Sequence, residues 1–582
     1  MKRILIIINL TIVNVVLFNS NIYAEPFSTL DTTVKLSPGL QEHLTVFTDR
    51  TVYATGESCL FAAFRTGKNH HQLAGWNKVL YVELLKPDGI AVVQTKFPVV
   101  DDVAAGTIEI PGNLFTGYYY LRAYTRWMRN FGEENFPVVR LKVINPKEPV
   151  LQSAGVSATG FDAVTDIEKK LLVQKDIISV KADKVNPGTG ENVNITLGIN
   201  NNKYGLPEKY CISVIRPGAT DSLNHGLMRH AARQPEYPDP LRYIPDMNGL
   251  SLFGSVVDKT TGHGAGNVQV MLSMLGFSSD FYSYVSLPDG RFVFDIRPFN
   301  GEEEFYITLA PGNDEKFEIR IDDEYAGNFH LKEVLPFSLT DRDKKIAQEI
   351  VFNSQVNLAY RNFKEEDTTD NGTKKHIYFY GKPVNSIYID EYIHLTSVKE
   401  VLFELVHEIV LVKKKEIFYF KTNGFYTDME IFKPLILIDN IPVNDFESLL
   451  KSTPEMLERI DVIDRIYAKG DYLYGGMLHF ISRKGDFGRL TLPENAFFFS
   501  FDGFQKSDFG PFDFDNDISG EETRIPDLRN CLYWNPSLSV TGRRTLDFSF
   551  RTSDSKGPFL ILVRSVADDG TIFEGSCTIT VE

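Results

Sequence analysis

Residues 434–486 read PLILIDNIPVNDFESLLKSTPEMLERIDVIDRIYAKGDYLYGGMLHFISRKGD and set the interpretation of the chain. Positions 435–438 (LILI) are all apolar, which is typical of a strand buried on both faces. Asp439 and Asn440 then predict a turn. The other predicted elements are a short helix capped by Asp445, a helix with Pro454 in its first turn, a strand at 462–463, and a strand at 477–481 after Gly475 and Gly476.

A further helix is predicted before this segment. Ser397 and Glu400 form a capping box, and apolar residues follow at positions 398, 401, 402, 405 and 406. That helical spacing predicts an amphipathic helix. Together the elements predict a small α+β domain over residues 384–486.

The order of elements, ending in Gly-Gly, an apolar strand and Arg-Lys-Gly, resembles the plug domain of TonB-dependent outer-membrane transporters. In that family the first strand exits through Leu-Ile-Asp-Gly-x-Pro, and here Asn440 replaces the glycine. Residues 482–484 replace the usual Thr-Lys. Because Asn tolerates positive φ, the predicted turn is kept.

The transporter barrel itself is not expected. Such transporters close 22 strands around the plug, and strands of about 9–11 residues need roughly 200 residues in total. Only 96 residues follow Asp486. The resemblance therefore implies a plug-like domain in a protein that is not itself a transporter.

Residues 39–147 predict a β-sandwich, because short apolar strands alternate with turns about every 8–12 residues. The segments TDRTVYATGESCLFAAF (48–64), PDG (87–89) and GYYYLRAY (117–124) resemble the macroglobulin-type domain of the α2-macroglobulin superfamily. Protease-trapping members carry a Cys-Gly-Glu-Gln thioester. None of the four cysteines here has that context, so covalent trapping is not implied.

Residues 176–217 predict part of a second β-sandwich, and the proline-dense residues 218–247 predict an extended linker. His225 and His230 lie in this linker beside Met228. We expect a surface loop there, with a soft-metal site as the alternative.

Residues 248–330 resemble a carboxypeptidase regulatory-like domain, which implies a prealbumin-like sandwich without catalytic groups. The pattern is LSLFGSVVDKTTGHGAGNVQVMLS (250–273), followed by LPDGRFVFDI (287–296). The glycines at 262–266 lack the G-x-G-x-x-G spacing and lead into a β-run. We interpret them as a hairpin turn rather than a phosphate loop.

The remaining segments complete the predicted fold class. Residues 340–380 predict a helical connector (343–363) and a polar loop (364–375), and residues 523–582 predict a C-terminal β-sandwich after an acidic, Phe-rich linker at 497–522. In that linker Asp513, Asp515 and Asp517 lack the Gly and Glu of a Ca²⁺ loop, so a solvated loop is favoured over a cation site. The chain is predicted to be mainly β, a multidomain string of Ig-like or prealbumin-like sandwiches with one small α+β plug-like domain.

The N-terminus indicates export. Lys2 and Arg3 precede the apolar run 4–18, and Ile22 and Ala24 occupy the −3 and −1 positions of a cleavage site. Residues 1–24 therefore predict a secretory signal peptide. The alternative, an uncleaved anchor, usually needs about 20 apolar residues. No later segment predicts a membrane-spanning helix, so we expect a periplasmic, outer-membrane-associated or cell-surface protein.

The net charge and the four cysteines limit which partners and which cysteine chemistry are expected. The formal net charge of −16 disfavours nucleic acid and anionic lipid as partners. In an oxidising envelope a Cys531–Cys577 bridge is one prediction. The favoured prediction is that all four cysteines, including Cys59 and Cys211, are separate buried thiols.

No residue set identifies a reaction. His407-Glu408 lacks the second His of HExxH, and residues 155–160 are one residue too long for G-x-S-x-G. The acidic pairs Glu455/Glu458 and Asp461/Asp464 are predicted to lie on solvated faces. Four aromatic residues could either stack on a sugar or pack in the core, and their spacing favours core packing: Tyr118, Tyr119, Tyr120 and Trp127. We name no catalytic, cofactor-binding or metal-binding residue and no cofactor, and we expect no enzyme.

Taken together, the modules resemble a family of envelope proteins of Bacteroidetes-type bacteria. The resemblance implies a non-enzymatic interaction or scaffold protein whose partners are envelope or outer-membrane proteins. The alternatives are an accessory protein that captures a nutrient or glycan beside an outer-membrane transporter and, third, a hydrolase.

Overall fold

The computed structural model describes part of the 582-residue chain and divides it into two compact units. The described residues are 41–66, 75–147, 173–175, 177–200, 208–220, 227–228, 241–276, 279–313, 315–327, 337, 339–361, 378–392, 395–414, 417–422, 432–470, 472–486, 490–506, 526–540 and 545–582. Unit 1 comprises 1–249, 325–368 and 505–582, and unit 2 comprises 250–324 and 369–504. The predicted signal peptide (1–24), the two linker histidines, the polar loop 364–375 and the three alternating aspartates lie outside the described residues.

The described residues are mainly β, which confirms the predicted fold class. In chain order the first strands are β1 (His43–Thr48), β2 (Val52–Ala54), β3 (Ser58–Thr66), β4 (Val79–Leu85), β5 (Ala91–Pro98), β6 (Val103–Glu109), β7 (Gly117–Tyr124), β8 (Val138–Ile144), β9 (Val173–Gln174), β10 (Ile178–Ala182), β11 (Asn192–Ile199), β12 (Lys209–Ile215) and β13 (Leu227–Met228). The next are β14 (Ser251–Asp258), β15 (Gln269–Met274), β16 (Asp280–Val285), β17 (Arg291–Asp295), β18 (Glu302–Leu309) and β19 (Phe317–Ile321), followed by helix α1 (Asp341–Arg361).

The second half adds β20 (Asn385–Tyr388), α2 (Val398–Leu405), β21 (Ile409–Lys414), β22 (Ile417–Thr422), β23 (Leu435–Ile438), β24 (Ile441–Pro442), α3 (Phe446–Lys451), β25 (Leu457–Ile463), β26 (Tyr467–Lys469), β27 (Tyr472–Tyr474) and β28 (Met477–Ser482). The last strands are β29 (Phe497–Asp502), β30 (Cys531–Ser539), β31 (Thr545–Arg551), β32 (Gly557–Val566) and β33 (Ile572–Val581). None of the described helices combines the length and the apolar character that crossing a membrane requires.

Unit 1 begins with two facing sheets, which we call the N-terminal sandwich. One sheet has the order β1-β3-β6, and the other has the order β13-β8-β7-β4-β5, with β2 parallel to β8. Every residue of β4 and β7 is buried. Strands lie at the positions predicted within 39–147.

Unit 1 also contains a second sandwich whose strands come from two distant segments, and we call it the composite sandwich. Its sheets have the orders β10-β11-β31 and β30-β12-β32-β33-β9. The sequence predicted separate sandwiches at 176–217 and 523–582, and the structure corrects this. The first segment supplies only three strands, which are divided between the two sheets. The C-terminal segment completes both sheets: β31 pairs with β11, and β30 and β32 pair with β12.

Helix α1 is the predicted connector, and it packs inside unit 1. Ile346 and Ile350 on the helix form one core cluster with Val52 and Ala54 of β2 and with Ile215 of β12. The helix therefore contacts both sandwiches of unit 1.

Unit 2 begins with the middle sandwich, whose sheets have the orders β17-β14-β19 and β16-β15-β18-β29. The predicted hairpin at 262–266 is present only locally. Residues 263–265 fold back antiparallel onto the end of β14 through the Val257–Gly264 bridge, whereas β14 and β15 lie in different sheets. Glycine is required at 264 and 266 because the neighbouring backbone lies close to both positions. A Cβ atom on Gly264 would lie 1.8 Å from Asp289 O, and a Cβ atom on Gly266 would lie 2.6 Å from Pro288 Cα. Residues 497–502 form β29, paired with β18, where the sequence predicted a linker.

The α+β domain of unit 2 has one five-stranded sheet of order β20-β25-β28-β23-β24. Helix α2 begins where predicted, since the Ser397 side chain accepts the backbone N–H of Glu400, and Asp445 caps α3 in the same way through Ser448. All four residues of β23 are buried. The turn at Asp439 and Asn440 has positive φ values of 46° and 71°. Pro454 begins a single 3₁₀ turn instead of an α-helix.

Within unit 2 the β26–β27 hairpin fixes the α+β domain to the middle sandwich. The Lys469 ammonium lies 2.5 Å from an Asp280 carboxylate oxygen, and the Gln269 amide donates to the Tyr474 hydroxyl at 2.9 Å. Gly470 has φ +55°, and a Cβ atom there would lie 2.1 Å from Ser283 O. The hairpin can approach β16 this closely only with glycine at its turn.

Candidate functional site

A buried polar cluster on the α+β sheet is the candidate site, and adjacent strands position it. In the register of β25 and β28, Asp461 lies directly opposite His479. Tyr380 lies on the same face of the sheet, and all three side chains are buried, His479 completely. The other face of the sheet carries the hydrophobic core under α2 and α3.

The hydrogen bonds of the cluster determine the tautomer of the histidine. The backbone N–H of Asn440 can only donate, and it lies 3.0 Å from His479 Nε2. Nε2 is therefore unprotonated and accepts this bond. In the neutral imidazole Nδ1 carries the proton and donates to the Tyr380 hydroxyl at 2.7 Å. That hydroxyl in turn donates to Asp461 Oδ2 at 2.9 Å.

The Asp461 carboxylate receives further donors on its other oxygen. The Ser386 hydroxyl donates to Oδ1 at 2.7 Å, and the Arg459 guanidinium donates through Nε at 3.2 Å. Burial lowers the pKa of Arg459, but the attraction of Asp461 outweighs it, so the net shift is upward. Burial and the same carboxylate raise the pKa of Tyr380 well above its ordinary value.

Chemically, the cluster is a closed hydrogen-bond chain. Both ring nitrogens of His479 and both oxygens of Asp461 already have protein partners. The chain holds the backbone of Asn440 in its left-handed conformation and so fixes the turn after β23. The arrangement supports a structural role for the sheet.

The prediction that Asp461 lies on a solvated face is wrong, because its side chain is only 1% exposed. Glu455 and Glu458 are exposed, as predicted. A sequence signal for the cluster does exist. His479 interrupts the apolar run MLHFI of the predicted strand 477–481, and Asp461 interrupts IDVI directly before the predicted strand at 462–463. Pairing the two strands in register would have placed both polar residues on one face.

Unit 1 contains a second buried polar cluster, built from the TDRxxY segment. Arg50 donates Nε to Asp49 at 3.1 Å and its two terminal nitrogens to Glu57 at 3.1 and 3.0 Å. The Tyr53 hydroxyl donates to Asp49 at 2.6 Å. Asn530, the residue before β30, donates to Glu57 at 2.7 Å. The cluster joins the N-terminal sandwich to the composite sandwich.

The other residues discussed from the sequence have structural positions. Tyr118, Tyr119, Tyr120 and Trp127 are buried, which confirms core packing and leaves no sugar platform there. All four cysteines are free thiols, so the Cys531–Cys577 bridge is not formed. Burial raises the pKa of Cys211 and Cys531 to about 12, which keeps both thiols protonated. Among the described residues, no group of three or more His, Cys, Asp or Glu side chains is placed to hold a metal ion.

Comparison with known proteins gives distant structural neighbours. No protein-family model matches the sequence, and no curated protein matches it. Salmonella alpha-2-macroglobulin reacted with methylamine is 9% identical with a TM-score of 0.23, over 94% of this chain and 40% of that chain. Trypsin-activated alpha-2-macroglobulin from Escherichia coli is 9% identical with a TM-score of 0.23, over 94% and 42%.

A third neighbour, the Yersinia pseudotuberculosis adhesin InvE, is 10% identical with a TM-score of 0.12, over 48% of this chain and 57% of that chain. The chain thus spans about 40% of the length of the macroglobulins it resembles. At these TM-scores the likeness carries no argument about function. The functional interpretation depends on this chain's own residues.

Proposed function

We propose that this chain is an exported, non-enzymatic interaction or scaffold protein of the cell envelope, in which a plug-like module serves as one docking domain among β-sandwiches. The observation that carries the proposal is the completeness of the α+β domain. One face of its sheet has a hydrophobic core, and the other has the closed Tyr380–Asp461–His479 chain. A domain with both faces covered offers its loops and strand edges to partners.

The contacts within unit 2 support a rigid module. Strand β29, which follows the α+β domain in the chain, pairs with β18 of the middle sandwich over six residues. The β26–β27 hairpin packs on the same sandwich through Lys469 and Gly470. A pre-organised surface loses little conformational entropy when a partner binds.

Chemical cross-linking in intact cells, followed by mass spectrometry, tests the proposal. We expect recurrent cross-links from one or a few envelope proteins to defined lysines of this chain. A control version without residues 1–24 should lose these cross-links, because it would stay inside the cell. Cross-links to abundant bystanders alone, or identical cross-links without residues 1–24, would refute an envelope scaffold.

Accessory glycan capture is the second candidate, and one observation favours it. Tyr388 and Tyr392 of the α+β domain are 42% and 45% exposed, which leaves part of each ring for stacking on a sugar, and the Arg459 guanidinium lies 5.9 Å from the Tyr388 ring centroid. Thermal unfolding with a polysaccharide panel distinguishes the two candidates. Glycan capture predicts stabilisation by one polysaccharide that Tyr388→Ala abolishes, and the scaffold proposal predicts none.

A further inference from the structure

Residues 241–246 of unit 1, which we call the strap, contact the N-terminal sandwich without forming a helix or a strand. Leu241 and Tyr243 are half-buried, Arg242 between them is exposed, and Asp246 is buried. The strap is therefore bound to the sandwich by individual contacts and is not a strand of either sheet. We call the surface that holds it the strap groove.

One amide side chain of the groove binds the strap backbone. Asn130 lies in the 3₁₀ turn Trp127–Phe131 that follows β7. Its Oδ1 accepts the backbone N–H groups of Arg242 and Tyr243 at 3.0 and 2.8 Å, and its Nδ2 donates to Tyr243 O at 2.6 Å. A primary amide offers the same donor and acceptor as a peptide group. These three bonds therefore hold a backbone and do not depend on the side chains that it carries.

The Tyr243 ring is bound by two cations of the groove. The Arg129 guanidinium carbon lies 4.1 Å from the ring centroid, and that of Arg126 lies 5.6 Å from it. Arg129 also donates to Tyr325 O at 3.1 Å, which holds its guanidinium in place. Cations at these distances attract the face of an aromatic ring. The middle of the groove is thus selective for an aromatic side chain.

The two ends of the strap have different binding places. Leu241 packs against Trp127 and Phe131 in a small apolar cluster. At the other end, the Tyr81 hydroxyl donates to Asp246 Oδ2 at 3.1 Å, and the backbone N–H of Lys78 donates to Asp246 O at 2.9 Å. The groove therefore recognises an apolar, an aromatic and an acidic side chain at the first, third and sixth positions.

We propose that the strap is an autoinhibitory internal ligand, and that the strap groove takes an extended segment of a partner protein with the pattern Leu-x-Tyr-x-x-Asp. Backbone hydrogen bonds would give such a segment affinity, and places for alternate side chains would give it specificity. While the strap is bound, it competes at an effective concentration on the order of millimolar. A partner segment binds well only after the strap is weakened. The inference rests on the proposed interaction function and names the chemistry of the partner segment.

The test uses the full chain and a fluorescent peptide with the sequence of residues 241–247, LRYIPDM. Binding is measured by fluorescence anisotropy. The decisive variant is Tyr243→Ala, which removes the ring held by Arg129 but changes no residue of the groove. Tyr392→Ala is the matched control, because it removes an exposed tyrosine of the α+β domain and leaves the strap intact. Leu241→Ala weakens the other end of the strap, so the test does not depend on one variant that fails to fold.

We expect saturable binding to Tyr243→Ala, and binding about tenfold weaker to the unchanged chain and to Tyr392→Ala. A peptide with alanine in place of the tyrosine should bind Tyr243→Ala about tenfold more weakly. Adding Asn130→Ala to Tyr243→Ala should also weaken binding about tenfold, because three hydrogen bonds to the peptide backbone are lost. Unchanged hydrogen exchange of peptides from β4 and β7 verifies that the double variant is folded.

Three results would overturn the inference. They are no binding to either strap variant, equal binding by Tyr243→Ala and the unchanged chain, and binding by Tyr243→Ala that Asn130→Ala does not weaken. Envelope cross-links that persist in that case would leave the proposed function standing without this groove.

Discussion

The two buried clusters keep carboxylates away from water in different ways. In unit 1, Arg50 neutralises Asp49 and Glu57 directly with charged hydrogen bonds. In unit 2, Asp461 is partly neutralised by Arg459 and otherwise held by the neutral chain through Tyr380 to His479. The first design depends on one cation, and the second depends on hydrogen bonds relayed through Tyr380 and His479. The two clusters should therefore fail under different perturbations.

The largest effect is expected for Arg50→Met. It leaves two buried carboxylates without their cation, and breaking a buried ion pair costs about 3–5 kcal/mol. Hydrogen exchange of peptides from β2 and β3 should show unit 1 destabilised by that amount. Lys184→Met is the control, because its pair with Glu191 is exposed on both sides and should change stability by less than about 1 kcal/mol. Equal effects of the two substitutions would contradict a special role for Arg50.

A smaller loss is expected for Tyr380→Phe. It removes the hydroxyl that links His479 to Asp461 and so breaks two buried hydrogen bonds, at a cost of about 1–3 kcal/mol. The readout is hydrogen exchange of peptides from β25 and β28. Tyr392→Phe removes a hydroxyl from an exposed tyrosine of the same domain and should have no such effect. Unchanged exchange in Tyr380→Phe would mean that the hydrogen-bond chain contributes nothing to the sheet.

The third effect is expected for His479→Gln. The amide oxygen can still accept the Asn440 N–H, but the bond between the ring and the Tyr380 hydroxyl is lost. One hydrogen bond contributes about 0.5–1.5 kcal/mol to stability.

The measurement is the opening free energy of β28 by hydrogen exchange. His407→Gln is the matched control, because His407 is exposed on the same domain. An unchanged opening free energy in His479→Gln would mean that the bond to Tyr380 contributes nothing to the sheet.

The smallest effect is expected for Ser397→Ala at the start of α2. Its side chain accepts the Glu400 N–H, and loss of such an N-cap costs about 1 kcal/mol. Hydrogen exchange of the α2 peptide measures it. The free-energy cost of losing this one cap is the reference value for the costs expected in the two buried clusters. A loss as large as that of Tyr380→Phe would mean that the helix, and not the cluster, limits the stability of the sheet.

Local patterns predicted local structure well. The caps at Ser397 and Asp445, the turn at Asn440 and the buried strand 435–438 are present because each depends on residues close in sequence. Pairing between distant segments was not predictable in this way. The union of β11 with β31 and of β18 with β29 depends on which exposed edges remain after local strands have formed.

The candidate site shows the same division. The sequence placed His479 in a predicted strand and Asp461 directly before one, but treating Asp461 as one of many acidic residues hid its burial. Only the register of β25 against β28 brings the two side chains together.

Photo-cross-linking from single positions in intact cells tests most directly that this chain acts by binding a partner. A photoreactive amino acid is placed at Phe403, which is 78% exposed on helix α2 of the α+β domain, and for comparison at Val185, which is 65% exposed in unit 1. We predict one discrete protein adduct from position 403 and none from position 185. No adduct from either position, or the same mixture of adducts from both, would contradict a specific interaction protein.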